Sequence, residues 1–502
     1  MALQRRVLTL CRAGEGLGCR HATAISILQD DILLEIFDLC QTHHDARDNT
    51  LHTVRKWHRL AHVCQRWRQI VFASPHRLNL QILCAPGTPV RQNLDIWPAL
   101  PLVIDYGYGN SGAYRHARRF TPDDKDSVIA VLEHADRVCY VRLHVDVSQL
   151  DHMAAVMQKP FPMLTDLHIL SMDRNASVLS AEFLGGSAPR LQTISLQGIP
   201  FLALPMLLLS ASHLVSLHLL DVPPTGYISP EAMVASLAAL PRLENFRMTF
   251  RLAASRPDRI CAPPVTRTVL PALTFFTINR ASEYLEDLAA RIDGPHLDEI
   301  VIDYTNQLVG FQVAQLSKFI HRSVGLKSIV FTARVTFFSD WVSFDIFPQN
   351  SQSLDQVCTR TNVACKGSDW QLSHMAQVLS HSSATLSNAV HLKLKLKLEK
   401  GDQLDGALAD DAEWLHLLRR LSTVQTLHVP RKLAKHVALA LEDITGEMVT
   451  ETVPSLDLIC LEGQPASSIQ NFVAARQLFG VPVTIIDIGA EFGERLESYA
   501  RK

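Results

Sequence analysis

The sequence predicts an α/β chain: a small helical unit followed by a long repeat array whose parallel strands line one face of a horseshoe-shaped solenoid. Three observations predict it. An apolar triplet recurs at near-regular spacing from residue 138 onward. The segments between triplets carry helical periodicity, and two short helical stripes lie near the N-terminus. The length, 502 residues, also exceeds what one simple core requires.

The triplet has the form L-x-x-L-x-L, with other apolar residues allowed. It reads Val138-Val141-Leu143, Leu164-Leu167-Ile169, Leu191-Ile194-Leu196 and Leu214-Leu217-Leu219. It continues as Leu243-Phe246-Met248, Leu273-Phe276-Ile278, Leu297-Ile300-Ile302 and Leu326-Ile329-Phe331. After a gap come Ala389-Leu392-Leu394, Val424-Leu427-Val429 and Leu456-Ile459-Leu461, with Leu354-Val357-Thr359 a candidate inside the gap. The first eight starts are separated by 26, 27, 23, 29, 30, 24 and 29 residues, the period of leucine-rich repeats. Alternation inside L-x-L points two side chains to one face of a strand. One such unit cannot bury its apolar face alone, so neighbours must stack. Helices are expected over 230–240, 281–292 and 311–322, where apolar residues fall three and four apart. Prolines such as Pro189, Pro241 and Pro271 stand just before strands, where they end the preceding segment. The asparagine that usually follows the strand is absent, so the repeats are degenerate. The run HLKLKLKLEK at 391–400 reads as a strand with Lys393, Lys395 and Lys397 on its solvent face, where like charges discourage edge pairing.

Near the N-terminus, Ser26 and Gln29 have capping-box spacing, and Ile32, Leu33, Ile36, Phe37 and Cys40 form a helical stripe. A polar stretch separates this from a second stripe of Trp57, Leu60, Ala61, Cys64, Trp67 and Val71, which Ser74-Pro75 ends. The run Leu28-Gln29-Asp30-Asp31-Ile32-Leu33-Leu34-Glu35-Ile36-Phe37, with Leu60-Ala61-His62-Val63-Cys64-Gln65-Arg66-Trp67, resembles an F-box. With the extension that follows, it is similar to F-box proteins of mushroom-forming (basidiomycete) fungi. Gln29 stands where that family usually has proline. The resemblance implies a three-helix unit that binds a Skp-type adaptor and, through it, a cullin. It nominates Leu28, Ile32, Leu33, Ile36, Phe37, Leu60, Val63, Cys64 and Trp67 as adaptor-facing. The same residues can instead be internal packing, since interface anchors and core residues share composition. The organisation expected is a tail over 1–22, the F-box-like domain over 23–75, a linker or extension over 76–120 and the degenerate repeat array over 121–502.

In strands patterned this way the residue between the two inward positions faces the concave surface. Those residues are Arg142, His168, Ser195, His218, Arg247, Thr277, Val301, Val330, Lys393, His428 and Cys460. Arg142, His168, His218, Arg247, Val301 and Val330 are the candidate target contacts, a polar stripe around an apolar anchor. The expected function is therefore the substrate-recognition subunit of an SCF-type ubiquitin ligase. The alternative is a repeat scaffold without ligase activity.

Composition narrows the other classes. A formal net charge of -2 gives no bulk attraction to nucleic acid or an anionic membrane. No apolar run is long enough for a transmembrane helix. Ten scattered cysteines read as reduced thiols in a cytoplasmic or nuclear protein. Neither Cys358 with Cys365 nor His43-His44 with Asp45 and Asp48 completes a metal site. Tyr106 to Gly112 is glycine-rich but fits no phosphate-binding motif, and a flexible linker is expected there. No catalytic motif stands out, and neither enzymatic activity nor a cofactor is expected.

Overall fold

The computed structural model describes residues 24–42, 56–75, 77–88, 90–97, 99–107, 120–171, 173, 178–251, 266–279, 282–305, 314–323, 331–339, 341–348, 359–364, 389–397, 411–419, 422–442, 451–462 and 467–487. The chain divides into two compact units. One comprises residues 1–103 with 109–113, the other 104–108 with 114–502.

In the first unit a short 3₁₀ turn, Ala24–Ile27, precedes α1 (Asp30–Thr42), α2 (Lys56–Ala61) and α3 (Gln65–Ala73). α1 starts four residues after Ser26, so the capping box expected at Ser26 and Gln29 does not begin it. Instead the Gln29 carbonyl accepts the Leu33 N–H at 3.1 Å, and Asp30 and Asp31 place negative charge on the first turn. Leu33 and Phe37, one turn apart, are buried, as are Trp57, Ala61, Ile70 and Val71. Phe37 packs its ring against Trp67 at 4.7 Å. The interval 76–120, expected as linker or extension, contributes β1 (Ile82–Cys84), α4 (Val90–Ile96) and β2 (Leu102–Tyr106), of which residues 104–106 belong to the second unit. Trp57 joins the helices to this extension within the unit. Its Nε1–H donates to the Gln81 carbonyl at 2.9 Å, and its ring meets Trp97 edge-on at 5.3 Å.

In the second unit the strands are β3 (Val138–His144), β4 (Asp166–Leu170), β5 (Thr193–Gln197), β6 (Ser216–Val222) and β7 (Asn245–Phe250). They continue as β8 (Thr268–Val269), β9 (Phe275–Asn279), β10 (Ile292–Asp293), β11 (Glu299–Thr305), β12 (Phe331–Phe337), β13 (Trp341–Pro348) and β14 (Thr359–Ala364). Last come β15 (Ala389–Leu396), β16 (Thr426–Val429), β17 (Leu458–Leu461) and β18 (Thr484–Asp487). β8 and β10 form a separate parallel pair. The others run β3-β4-β5-β6-β7-β9-β11-β14-β13-β12-β15-β16-β17-β18. From β3 to β11 every pairing is parallel and the apolar triplets lie in register, so Leu167, Ile194, Leu217, Phe246, Phe276 and Ile300 form one buried row.

Helices cover the side to which that row points. They include α5 (Pro122–Leu132), α6 (Val147–Val156), α7 (Leu204–Leu208), α8 (Pro230–Leu237), α9 (Ser282–Arg291) and α10 (Ala314–Arg322), then α11 (Asp411–Arg419), α12 (Arg431–Glu442) and α13 (Ser467–Leu478). Thr121 and Asp146 start α5 and α6 with reciprocal capping boxes, and Ser229 caps α8 ahead of Pro230. Phe276 of β9 meets Phe319 of α10 at 5.5 Å, and Phe337 of β12 meets Trp414 of α11 at 5.6 Å.

The order departs from a simple repeat at one place. β12 does not follow β11 in the sheet. β14 pairs in parallel with β11, β13 runs antiparallel between β14 and β12, and β12 then pairs in parallel with β15. The triplet expected at 326–331 therefore does not begin the next repeat: a strand starts only at Phe331, and Leu326 and Ile329 lie outside the described residues. Thr359, the end of the candidate triplet 354–359, opens β14 and faces the core opposite Ile300. The strand expected at 391–400 forms as β15, but between two neighbours, so its lysines do not guard an edge.

One half-buried carboxyl ties two helices together. The Glu286 carboxylate in α9 accepts the backbone N–H groups of Gln315 at 2.8 Å and Leu316 at 3.3 Å, at the start of α10. Burial pushes this carboxyl up to about 7; the two N–H groups and Lys318 pull it back, while Asp287 adds to the rise. Between about pH 4.5 and 7 the folded protein thus holds a proton that the unfolded chain releases. The unfolding free energy should fall as pH rises through that window. Glu286→Gln should flatten the slope, read by denaturant unfolding at the two ends of the range; an unchanged slope would contradict the assignment.

Candidate functional site

Alternation puts every second residue of each strand on the face away from the helices. The structure brings together most of the predicted stripe there. Arg142, His168, Ser195, His218, Arg247, Thr277 and Val301 are directly paired from β3 to β11. Val330 lies outside the described residues, and the neighbour of Val301 in the row is Arg360 of β14. Asp345 and Arg334 follow, then Lys393, His428, Cys460 and Ile486. The apolar anchor expected from Val301 with Val330 is thus replaced by charge. The missed residues, Arg360, Asp345 and Arg334, belong to the antiparallel insertion, which carries no L-x-x-L-x-L signal.

At the β3 end, Arg142 lies 3.6 Å from Asp105 and over the Tyr140 ring at 5.4 Å. Gly107 permits this approach, because a Cβ there would stand 2.3 Å from Arg142 Cδ. Burial raises the Asp105 carboxyl, against the pull of the Gly107 N–H and the Arg142 charge. Burial, and then Arg142, bring His168 down to about 4, although Asp166 opposes the change. His218 is lowered by burial and by Arg247. The two histidines are thus held toward the neutral form between two fixed cations, where each ring can both donate and accept hydrogen bonds.

Farther along, Arg247 lies over the Phe275 ring at 5.3 Å, and its Nε is buried without a hydrogen-bond partner. Thr277, 4% exposed, likewise has an unpartnered Oγ1, and Asn279 an unpartnered Oδ1. Asn362 donates to Asp303 at 2.5 Å, and Arg360 Nε donates to Asp345 at 2.8 Å. Burying such polar atoms unpaired is costly. Among the described residues no group of three or more His, Cys, Asp or Glu side chains is placed to hold a metal ion.

The adaptor candidates of the first unit divide into two sets. Leu33 and Phe37 are core, so neither is free to face an adaptor; Leu33 is 1% exposed and Leu60 half-buried. Leu28, Ile36 and Trp67 are also half-buried. Cys64 is exposed and caps α3, its Sγ accepting the Trp67 N–H at 3.5 Å. Ile32 and Val63 are outward, 46% and 58% exposed, and Ile27 and Leu39 join them as exposed apolar residues of this unit. Arg66 pins the start of α1, donating from Nη2 to the Leu28 carbonyl at 2.5 Å and from Nε to Asp30 at 2.9 Å. The polar stretch with His43, His44, Asp45 and Asp48 lies outside the described residues, as do Cys358 and Cys365.

No protein-family model matches the chain, and neither does any curated protein. Among solved structures the chain is similar to the leucine-rich repeat-containing protein LegL7 from Legionella pneumophila. The identity is 14%, the match covers 68% of this chain and 99% of that one, and the TM-score is 0.27. None of the described helices is long and apolar enough to cross a membrane.

Proposed function

We propose that this chain is a non-catalytic protein-binding scaffold, and that it serves as the target receptor of an SCF-type ubiquitin ligase. The observation that carries the binding role is the register-aligned row from Arg142 to Ile486. It presents charged and hydrogen-bonding groups, imidazoles among them, on one face of a continuous sheet, a composition that protein recognition uses. The resemblance of residues 28–67 to an F-box assigns the first unit to a Skp-type adaptor and cullin, and the row to the target.

The outward apolar residues of the first unit then become the adaptor contacts, with Ile32 and Val63 foremost and Leu33 and Phe37 holding the helices that present them. A double substitution of Ile32 and Val63 by Lys should reduce recovery of a purified Skp-type adaptor by about tenfold or more, because central apolar anchors each contribute about 2 kcal/mol. Both side chains are already solvent-facing, so the thermal midpoint should hold. Equal adaptor recovery by wild type and variant would remove the ligase role. Adaptor recovered without cullin would leave a scaffold.

A further inference from the structure

A lysine stripe such as that of β15 has a ready explanation at a sheet edge, where like charges oppose pairing with another chain. β15 is not an edge: it is paired in parallel with β12 on one side and β16 on the other. Lys393 stands directly across from Arg334 and from His428, and burial, Lys393 and His391 all depress the His428 imidazole. Like charges opposed across neighbouring strands are destabilising. Edge protection therefore does not account for the opposition of Lys393 and Arg334, which calls for another role.

The same face gathers more of this chemistry. Alternation places Arg360, Arg334, Lys393, Lys395 and Lys397 together, and Arg334 lies over the Phe347 ring at 4.3 Å. Lys397 lies over Phe338 at 5.9 Å, and Phe338 stacks on Trp341 at 3.6 Å. Among the described residues of β12 to β16, Asp345 is the sole carboxylate on this face. It accepts from Arg360 Nε and, at 3.1 Å, from Ser343 Oγ. The whole chain carries a formal charge of -2, so this basic cluster does not reflect the overall balance.

We propose that the face formed by β14, β13, β12, β15 and β16 binds an extended acidic segment of a partner protein. Its carboxylates lie against Arg334, Lys393, Lys395 and Lys397, and an apolar side chain lies against the Phe338–Trp341 pair. The inference rests on the reading of the chain as a protein-binding scaffold and names the chemistry of its target. Five strands about 4.8 Å apart span roughly 19 Å, a distance an extended segment crosses in about six residues. A nucleic acid fits less well. Its phosphates continue beyond such a span, and Glu299 and Asp303 of β11 put carboxylates on the same face beside β14.

The test is fluorescence anisotropy on the full chain with a labelled octapeptide alternating Glu and Leu. Its Gln-for-Glu counterpart and an oligothymidylate serve as competitors. The Glu peptide should bind, and added salt should weaken it. Lys393→Glu with Lys395→Glu should weaken it by about tenfold or more, as loss of complementary charge does. The thermal midpoint of that variant should not fall, because the like-charge opposition of Lys393 and Arg334 is removed. Lys393→Gln with Lys395→Gln should shift binding in the same direction without adding negative charge. No binding of the Glu peptide, equal binding by the variants, or tighter binding of the oligothymidylate would overturn the inference. If adaptor capture through Ile32 and Val63 persisted in that case, only the target chemistry would be withdrawn.

Discussion

Leu217→Asp is expected to destabilise the repeat unit by about 4 kcal/mol or more, the range reached when an unpaired charge is buried. Leu217 is fully buried in β6, paired with Ile194 of β5 and Phe246 of β7. A carboxylate there has no cation on the core side of those strands among the described residues, so it must protonate or force the strands apart. Repeat arrays couple mainly through nearest neighbours. Amide hydrogen exchange should therefore accelerate most in β5 to β7 and least in β16 to β18. Uniform acceleration across the unit would contradict the repeat account, and no destabilisation would contradict the register.

Trp57→Ala should cost the first unit about 3–5 kcal/mol, the range for removing a large buried aromatic. Against a net stability of about 5–15 kcal/mol for a typical domain, that is a large part of the whole. The indole fills the space between α2 and the extension, meets Phe72 at 5.8 Å and Trp97 at 5.3 Å, and hydrogen-bonds the Gln81 carbonyl. Trp57→Phe keeps most of the ring contact but loses that bond. It should fall between wild type and Ala by denaturant unfolding followed through near-ultraviolet dichroism. If Ala and Phe were equally mild, residues 76–103 would not be packed on the helices of this unit.

The regular strands were legible because a strand buried on one face needs two inward apolar residues separated by one. Each triplet from Val138-Val141-Leu143 to Leu297-Ile300-Ile302 obeys that rule and is buried. The insertion was not legible for the same reason. Ala333, Val335 and Phe337 of β12 and Val342, Phe344 and Ile346 of β13 alternate as any strand does. Alternation carries no information on whether the next strand runs parallel or antiparallel, or which strand it neighbours. Alternation therefore predicts Val330 in the row where Arg360 stands. β18 has mostly outward residues, so no apolar triplet marks it in the sequence.

In the first unit, helical spacing located the stripes but not the face each apolar residue takes. α1 is apolar on more than one side, so Ile32 and Leu33, adjacent in sequence, have opposite fates: one half exposed, the other core. Spacing alone makes Leu33 as good an adaptor anchor as Ile32. Packing against α2 and α3 separates them.

The central claim is that the sheet face away from the helices is the recognition surface. The most direct measurement installs a photo-crosslinking amino acid at His218, half-buried on that face, and separately at Met206, 67% exposed in α7. Each variant is illuminated in its native cells, and the adducts are compared by mass. The account predicts a discrete protein adduct from position 218, lost when Arg142 and Arg247 are both changed to Glu, with no such adduct from position 206. A discrete adduct from position 206 alone would contradict it and move recognition to the helical side.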